Sequence, residues 1–276
     1  MSDRVTRLLA GCFGLMAMLS VATAVEAGSD AERMAEIKNK GGCPRCDLRL
    51  AELRFLSVEN ADFARANLRE VDLKEAVLRN ADFNRSDFRR TEAERADFSG
   101  SDFSGSNMRS VDLEKANLTD TVFHGADLRD ADLNAIIANG ASFEEADLRN
   151  AYLFRAVADG ASFKDAKLDD ANLERMTLTN ANFQGARLRQ AKLDRIHAHN
   201  ADFSGADMSG VRLVSSDLTG ANLRDVDFDG ALLRRTRLVG ADLTGAYNLD
   251  PDRILGACGD ATTKLPQGIE LIECSH

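Results

Sequence analysis

The chain has no Trp, and only 3 Pro, 2 Tyr and 4 His among its 276 residues. That excludes a core built around large amphipathic aromatics, so Leu, Ala and 14 Phe must fill the interior. With so little Pro and 44% hydrophobic residues, the sequence is neither a mucin-like stalk, a collagen nor a disordered chain. Its 5 Cys are too few for a disulfide-dense miniprotein. Positive charge is also in deficit, with 35 Lys and Arg against 45 Asp and Glu and a net charge of −10. This argues against generic nucleic-acid binding and leaves cationic partners or simple solubility. Beyond residue 27, no apolar run approaches the ~20 residues that span a bilayer.

The one long apolar run lies at the start. Arg4 and Arg7 precede an uncharged stretch from Leu8 to Val25, and small residues suited to cleavage follow at Ala22-Thr23-Ala24 and Val25-Glu26-Ala27. We expect residues 1–27 to be a cleaved secretory signal and the protein to be periplasmic or secreted. The alternatives are an uncleaved anchor and a lipoprotein. Leu9-Ala10-Gly11-Cys12 spells a lipoprotein box, but most of the apolar run falls after it.

What the chain does contain is a repeat. From Leu48 to Leu243 every fifth residue is apolar, 40 positions in succession, made up of 22 Leu, 11 Phe, 4 Ala, 2 Met and Val58. Two residues before each sits a smaller residue, Ala in 24 of the 40 cases, usually with Asp or Asn between them. A period of five fits neither the 3.6 of a helix nor the 2.0 of a long strand. Short extended segments turning every five residues satisfy it, with two side chains in and three out.

Segments such as Ala61-Asp62-Phe63 and Ala126-Asp127-Leu128 resemble the pentapeptide repeat family, whose consensus is A-(D/N)-L-x-x. The resemblance covers residues 46–245. It implies an all-β fold, a right-handed quadrilateral β-helix with four pentapeptides per coil. That geometry requires a period of twenty, and Phe63, Phe83, Phe103, Phe123, Phe143, Phe163, Phe183 and Phe203 provide one as a structural column. About ten coils at roughly 4.8 Å each make a rod about 48 Å long. Within one face, Ile136 is followed by Ala138 and Ile196 by Ala198, so volumes compensate in a narrow interior. The corner at Asn60, Asn80, Gly100, Asp120 and Gly140 holds only residues that tolerate positive φ, which predicts a left-handed turn there.

Short helical caps are expected at both ends. At residues 28–45, Ser29 and Glu32 form a capping box, Met34 and Ile37 share a helical face, and Gly41 ends the run. In 246–276 the period fails, Asp250-Pro251 reads as a helix start, and the segment to Cys274 is expected to cover the last coil. Four cysteines follow the leader. The rod would hold Cys43 and Cys46 far from Cys258 and Cys274, so only Cys43–Cys46 and Cys258–Cys274 can pair within one chain. Cys43-Pro44-Arg45-Cys46 superficially resembles a thioredoxin motif, yet the repeat begins at Cys46 and leaves no room for the helix that motif needs.

Charge is distributed unevenly around the rod. The face at 61–65 and its repeats carries 4 cations and 9 anions, and the preceding face at 56–60 carries 2 and 5. The other two carry 10 against 11 and 11 against 10, which leaves one side net −8. Asp62, Asp82, Asp97, Asp102, Asp120, Asp202 and Asp217 on that side form a candidate face for a basic protein partner. On the balanced side, a column at Arg49, Arg69, Arg89, Arg109, Arg129 and Arg149 has Asp47, Asp87, Asp127 and Asp147 two residues before four of its members, which favours an ion-pair ladder.

No phosphate-binding loop or nucleophile–base pair appears, and the Asp residues follow from the repeat. His197 and His199 flank Ala198 and point outward, a weak surface metal pair at most. The expected function is a non-enzymatic structural or interaction scaffold, with no cofactor, no catalytic or metal-binding residues, no direct nucleic acid and no membrane contact after leader removal. The alternative is an acidic DNA-mimic regulator, because some members of the family bind DNA gyrase as acidic rods. That reading requires a cytoplasmic location.

Overall fold

The computed structural model describes residues 29–274. The expected leader and His276 lie outside them.

From residue 42 onward the backbone repeats one five-residue unit, and each unit pairs in parallel with the unit twenty residues on, as in Asp62↔Asp82 and Asp82↔Asp102. Four flat faces result. We number them from residues 46–50 (first), 51–55 (second), 56–60 (third) and 61–65 (fourth), each recurring every twenty residues.

Why Asp or Asn holds the second position follows from counting backbone donors. In the unit around Phe83, the N–H of Asp82 donates to Ala61 O (2.8 Å), that of Phe83 to Asp102 O (2.7 Å) and that of Arg85 to Ser104 O (2.9 Å). The next unit's Ser86 N–H closes the turn on Phe83 O at 3.1 Å. Two N–H groups of the unit find no carbonyl: Ala81 donates to the Ser101 hydroxyl at 3.0 Å, and Asn84 to the Asp82 carboxylate at 2.8 Å. The repeat residue is therefore a side-chain acceptor for a donor that no carbonyl reaches. Where Tyr152, Val157, Thr177 and Arg212 occupy the second position, the stranded N–H turns to the coil below instead. Phe154 donates to Asn134, Asp159 to Asn139, Thr179 to Asp159 and Val214 to Asp194.

Every corner, not just the one flagged by Asn and Gly, turns through positive φ. Non-glycine residues there hold φ between 53° and 62°, including Arg65, Glu70, Glu75, Arg95 and Lys115. Each corner makes the same turn, so each needs the same dihedral. The cost for an L-residue, about 1–2 kcal/mol, is accepted because the ladder bonds on both sides hold it. No corner from 45 to 245 carries Val, Ile or Thr. That exclusion is the sequence signal for the other three corners.

The interior is a single apolar column. The rings from Phe63 to Phe203 stack coil on coil, with centroids 4.6–5.3 Å apart and planes within 11° of parallel. Phe88 and Phe98 meet Phe83 edge-on at 5.0 and 5.7 Å, and the remaining large inward site of that coil is Ala93, so three rings are balanced by one methyl. Where Ala of the motif becomes Ser or Thr, several buried hydroxyls find a carbonyl 23 residues back, as Thr91 does on Leu68 and Thr121 on Phe98, whereas Ser86 bonds Phe83 and Ser106 finds no protein partner.

Helix α1 (Asp30–Lys40) has the reciprocal Ser29/Glu32 capping box and a left-handed Gly41 at its end. Ile37 is buried against the core and Met34 half-buried. Gly42, at φ 136°, pairs with Asp62, and a Cβ there would overlap the Asp62 backbone.

The C-terminal segment differs from the expected helix. Helical geometry is confined to one 3-10 turn, Pro251–Arg253, capped by Asp250. The chain then rejoins the ladder, with Arg237↔Cys258 and Asp242↔Lys264, and strand β1 (Cys258–Gly259) pairs in parallel with β2 (Ile272–Glu273). These offsets are 21 and 22 residues rather than twenty, so small insertions hide a continuing coil from any fixed-period reading. Buried Ile254 and Ala257 keep the inward pattern going.

Candidate interaction faces

On the fourth face, Asp62, Asp82 and Asp102 occupy consecutive coils and each accepts the N–H two residues on, at 2.9, 2.8 and 2.8 Å. Above them the same column reads Val122, Ser142, Ser162 and Asn182 before Asp202 restores the charge. Asp202 accepts Ser204 N–H at 2.8 Å and the Asn222 amide at 2.9 Å. This second-position column is thus acidic at two ends and neutral between them, while Glu144, Glu145 and Asp165 keep carboxylates elsewhere on the middle of the face.

The third-face members are partly neutralised. Arg79 Nε reaches Asp97 at 2.6 Å, and His199 Nε2 reaches Asp217 at 3.0 Å. Both carboxyls sit below the ordinary aspartate pKa. In each, partial burial pulls the value up and is outweighed by hydrogen bonds, from Arg79 and Ser99 to Asp97 and from Thr219 and His199 to Asp217. Asp120 stands at a corner, with φ 55°.

On the first face, Arg49, Arg89, Arg129 and Arg149 each fork onto the aspartate two residues before, with closest approaches of 2.7, 2.5, 2.5 and 2.6 Å. Arg69 turns to Glu70 at 3.0 Å and Arg109 to Asp130 at 3.2 Å. This column is consumed by its own ladder.

Cys43 is bonded to Cys46, and Cys258 to Cys274, one disulfide near each end of the described chain. Among the described residues no group of three His, Cys, Asp or Glu is arranged to hold a metal ion, and no helix is long and apolar enough to cross a membrane. The acceptors Asn134, Asn139, Asp159 and Asp194, which replace a missing Asp or Asn of the motif, were not legible in advance. Their only signal is an Asn or Asp twenty residues before the third position after a non-acceptor.

A family model described as pentapeptide repeats matches residues 46–85, 66–105, 96–136, 126–157, 159–195, 181–220 and 212–247. The chain belongs to the pentapeptide repeat family. The fold of this pentapeptide repeat protein is accordingly a right-handed quadrilateral β-helix. Among solved structures it is similar to HetL from the cyanobacterium Nostoc sp. strain PCC 7120, a pentapeptide repeat protein involved in heterocyst differentiation regulation. The two share 26% identity over 82% of this chain and 92% of that one, with a TM-score of 0.28. It is also similar to a pentapeptide repeat protein of the Arabidopsis thaliana thylakoid lumen, at 28% identity over 42% of this chain and 66% of that one (TM-score 0.29). A third is QnrB1, a plasmid-mediated fluoroquinolone resistance protein, at 21% identity over 75% of this chain and 91% of that one (TM-score 0.30). No curated protein matches the chain.

Proposed function

We propose that the protein is a non-enzymatic interaction scaffold of the periplasm or cell exterior. In this reading the rod has about ten coils at roughly 4.8 Å each, closed by α1 at one end and by the disulfide-tied segment at the other. It binds protein partners along its flat faces. The observation that carries the reading is the filled interior. Stacked Phe rings and buried Leu and Ala occupy the whole axis, so the chemistry the chain offers stands on outward side chains of flat surfaces. Disulfides between nearby cysteines at both ends support an oxidising compartment.

A basic protein surface suits the patches at Asp62, Asp82 and Asp102 and at Asp202. The same patches favour the acidic-mimic reading, while the neutral column from Val122 to Asn182 and the two disulfides weigh against it.

Fractionation with N-terminal sequencing, then a pull-down from the fraction that holds the protein, tests the proposal. It expects a new N-terminus near residue 28 and a partner whose binding falls when Asp82, Asp102 and Asp202 are changed to Asn. A cytoplasmic protein retaining Met1 overturns it in favour of the mimic. Unchanged binding by the triple variant at low salt would make the acidic side merely solubilising.

A further inference from the structure

The second face is nearly neutral as a whole but divided along the rod. Its first five units, 51–135, hold 4 cations and 8 anions, whereas its last five, 151–235, hold 7 cations and 2 anions. Every cation of the first half is ion-paired: Arg54 to Asp72, Lys74 to Glu92 and Glu94, Arg95 to Glu75 and Lys115 to Glu114. In the second half only Arg212 is, to Asp194 at 2.7 Å. Arg155, Arg175, Arg195 and Arg235 stand exposed at one corner, on successive coils but for Ser215, and make no ion pair among the described residues. Folding does not require cations there, because the same corner accepts Ala135 and Ser215.

Two features prepare this corner for an anion. Arg155 and Arg175 lie over the Phe154 ring at 5.1 and 5.9 Å, which holds both guanidinium groups without using their N–H donors. Where the corner residue is Ser215, a cavity of about 410 Å³ opens, lined by Arg175 and Arg195 on one side and Arg235 on the other. Two acids also line it. Asp194 is held by Arg212 and by the Val214 N–H at 2.9 Å, which leaves Glu174 against three unpaired arginines. Across the corner, Asp217 is turned to His199 and Thr219.

We propose that the corner from Arg155 to Arg235 binds an extended 1,4-linked polyuronate, a polysaccharide with one carboxylate per sugar. Coils repeat at roughly 4.8 Å, so Arg155, Arg195 and Arg235 recur every two coils, about 9.6 Å apart. A ribbon of β-1,4-linked sugars advances by nearly one coil per residue and turns its carboxylates alternately to either side. Every second carboxylate therefore returns to the corner in step with those three arginines, whose planar forks match a carboxylate edge. The intervening carboxylates turn toward the centre of the face, where Lys192 and Arg212 stand. Ser215 and Tyr152, 53% exposed, offer hydroxyls to those of the sugar.

Other polyanions fit less well. An extended acidic peptide repeats its same-side carboxylates at about 6.8 Å and falls out of step with the coils. Single-stranded nucleic acid stacks its bases on aromatic rings, and the Phe154 ring is already covered by arginine. The site goes beyond protein binding on the acidic side and depends neither on it nor on the compartment.

The test is calorimetric titration of the full native protein, disulfides intact, with a β-1,4-linked oligomannuronate of about six sugars at about 0.05 M salt, where exposed charges are weakly screened. Binding is expected, and the same oligosaccharide with its carboxyls reduced to alcohols should not bind. Arg155→Gln, Arg195→Gln and Arg235→Gln combined should weaken binding at least about tenfold. Arg45→Gln, Arg65→Gln and Arg85→Gln combined remove the same charge from three successive corners of the fourth face and should change it less than about twofold. Gln190 already occupies a corner, and unchanged thermal melts of both triple variants would show the rod intact. Absence of binding overturns the proposal, as does equal weakening by the two triple variants or equal binding of the reduced sugar. A polyglutamate peptide or a single-stranded oligonucleotide that binds as tightly as the uronate overturns it too, and reassigns the corner to another polyanion.

Discussion

The Asp82 carboxylate takes the N–H of Asn84 at 2.8 Å, a backbone donor that the ladder leaves unpaired. Asp82→Asn keeps an acceptor in place and should leave stability unchanged. Asp82→Ala should cost about 0.5–1.5 kcal/mol, the usual net value of one such bond. Paired urea melts of the two variants check this, and equal melts would remove the donor account of the motif.

Phe143 lies between Phe123 and Phe163, 4.8 and 4.9 Å from their ring centres. Phe143→Ala should cost on the order of 3–5 kcal/mol, since neither neighbour can collapse without breaking its own stack. Two residues on, Glu145 faces solvent at a corner, and Glu145→Lys should cost less than about 0.5 kcal/mol. Denaturant melts showing equal tolerance at both sites would refute the register.

Arg65 sits at a corner with φ 58°. Arg65→Gly should hold or slightly raise stability, because glycine adopts that dihedral without steric penalty. Arg65→Val should lower it, because branching at Cβ adds to the clash of about 1–2 kcal/mol that Arg65 already bears. Thermal melts of this pair measure the corner alone.

Asp87 and Asp127 are held below the usual aspartate pKa, chiefly by hydrogen bonds from Arg89 and Arg129 and against partial burial. A carboxyl whose folded pKa lies below its unfolded value of about 3.9 contributes its stabilisation in full above that value. The contribution is lost as pH falls from about 4 toward the folded pKa. Stability measured in urea should therefore be nearly flat from neutral pH to about 5 and drop below about 4. Arg129→Met should make that drop shallower, and an unaltered pH profile would show that the ladder contributes nothing.

The sequence by itself determined the coil. Forty apolar residues in phase, the Phe spacing of twenty and the small residue two places earlier leave only one way to turn and stack. An interior this narrow admits one large and one small side chain per face, so composition and architecture imply each other. The Ser29/Glu32 box and Gly41 were equally legible, because capping is local. Tertiary structure decided what depends on distant partners. It made every corner left-handed where only the Asn60 corner held nothing but turn-tolerant residues, and it continued the ladder past Gly245 through offsets that a fixed period cannot follow. It also sent Arg69 to Glu70 and Arg109 to Asp130, where the aspartate two residues before is missing. Whole-face charge totals hid the division of the second face, because summing along a rod cancels opposite ends. Which charges neutralise one another depends on what stands a coil away, and chain order does not carry that distance.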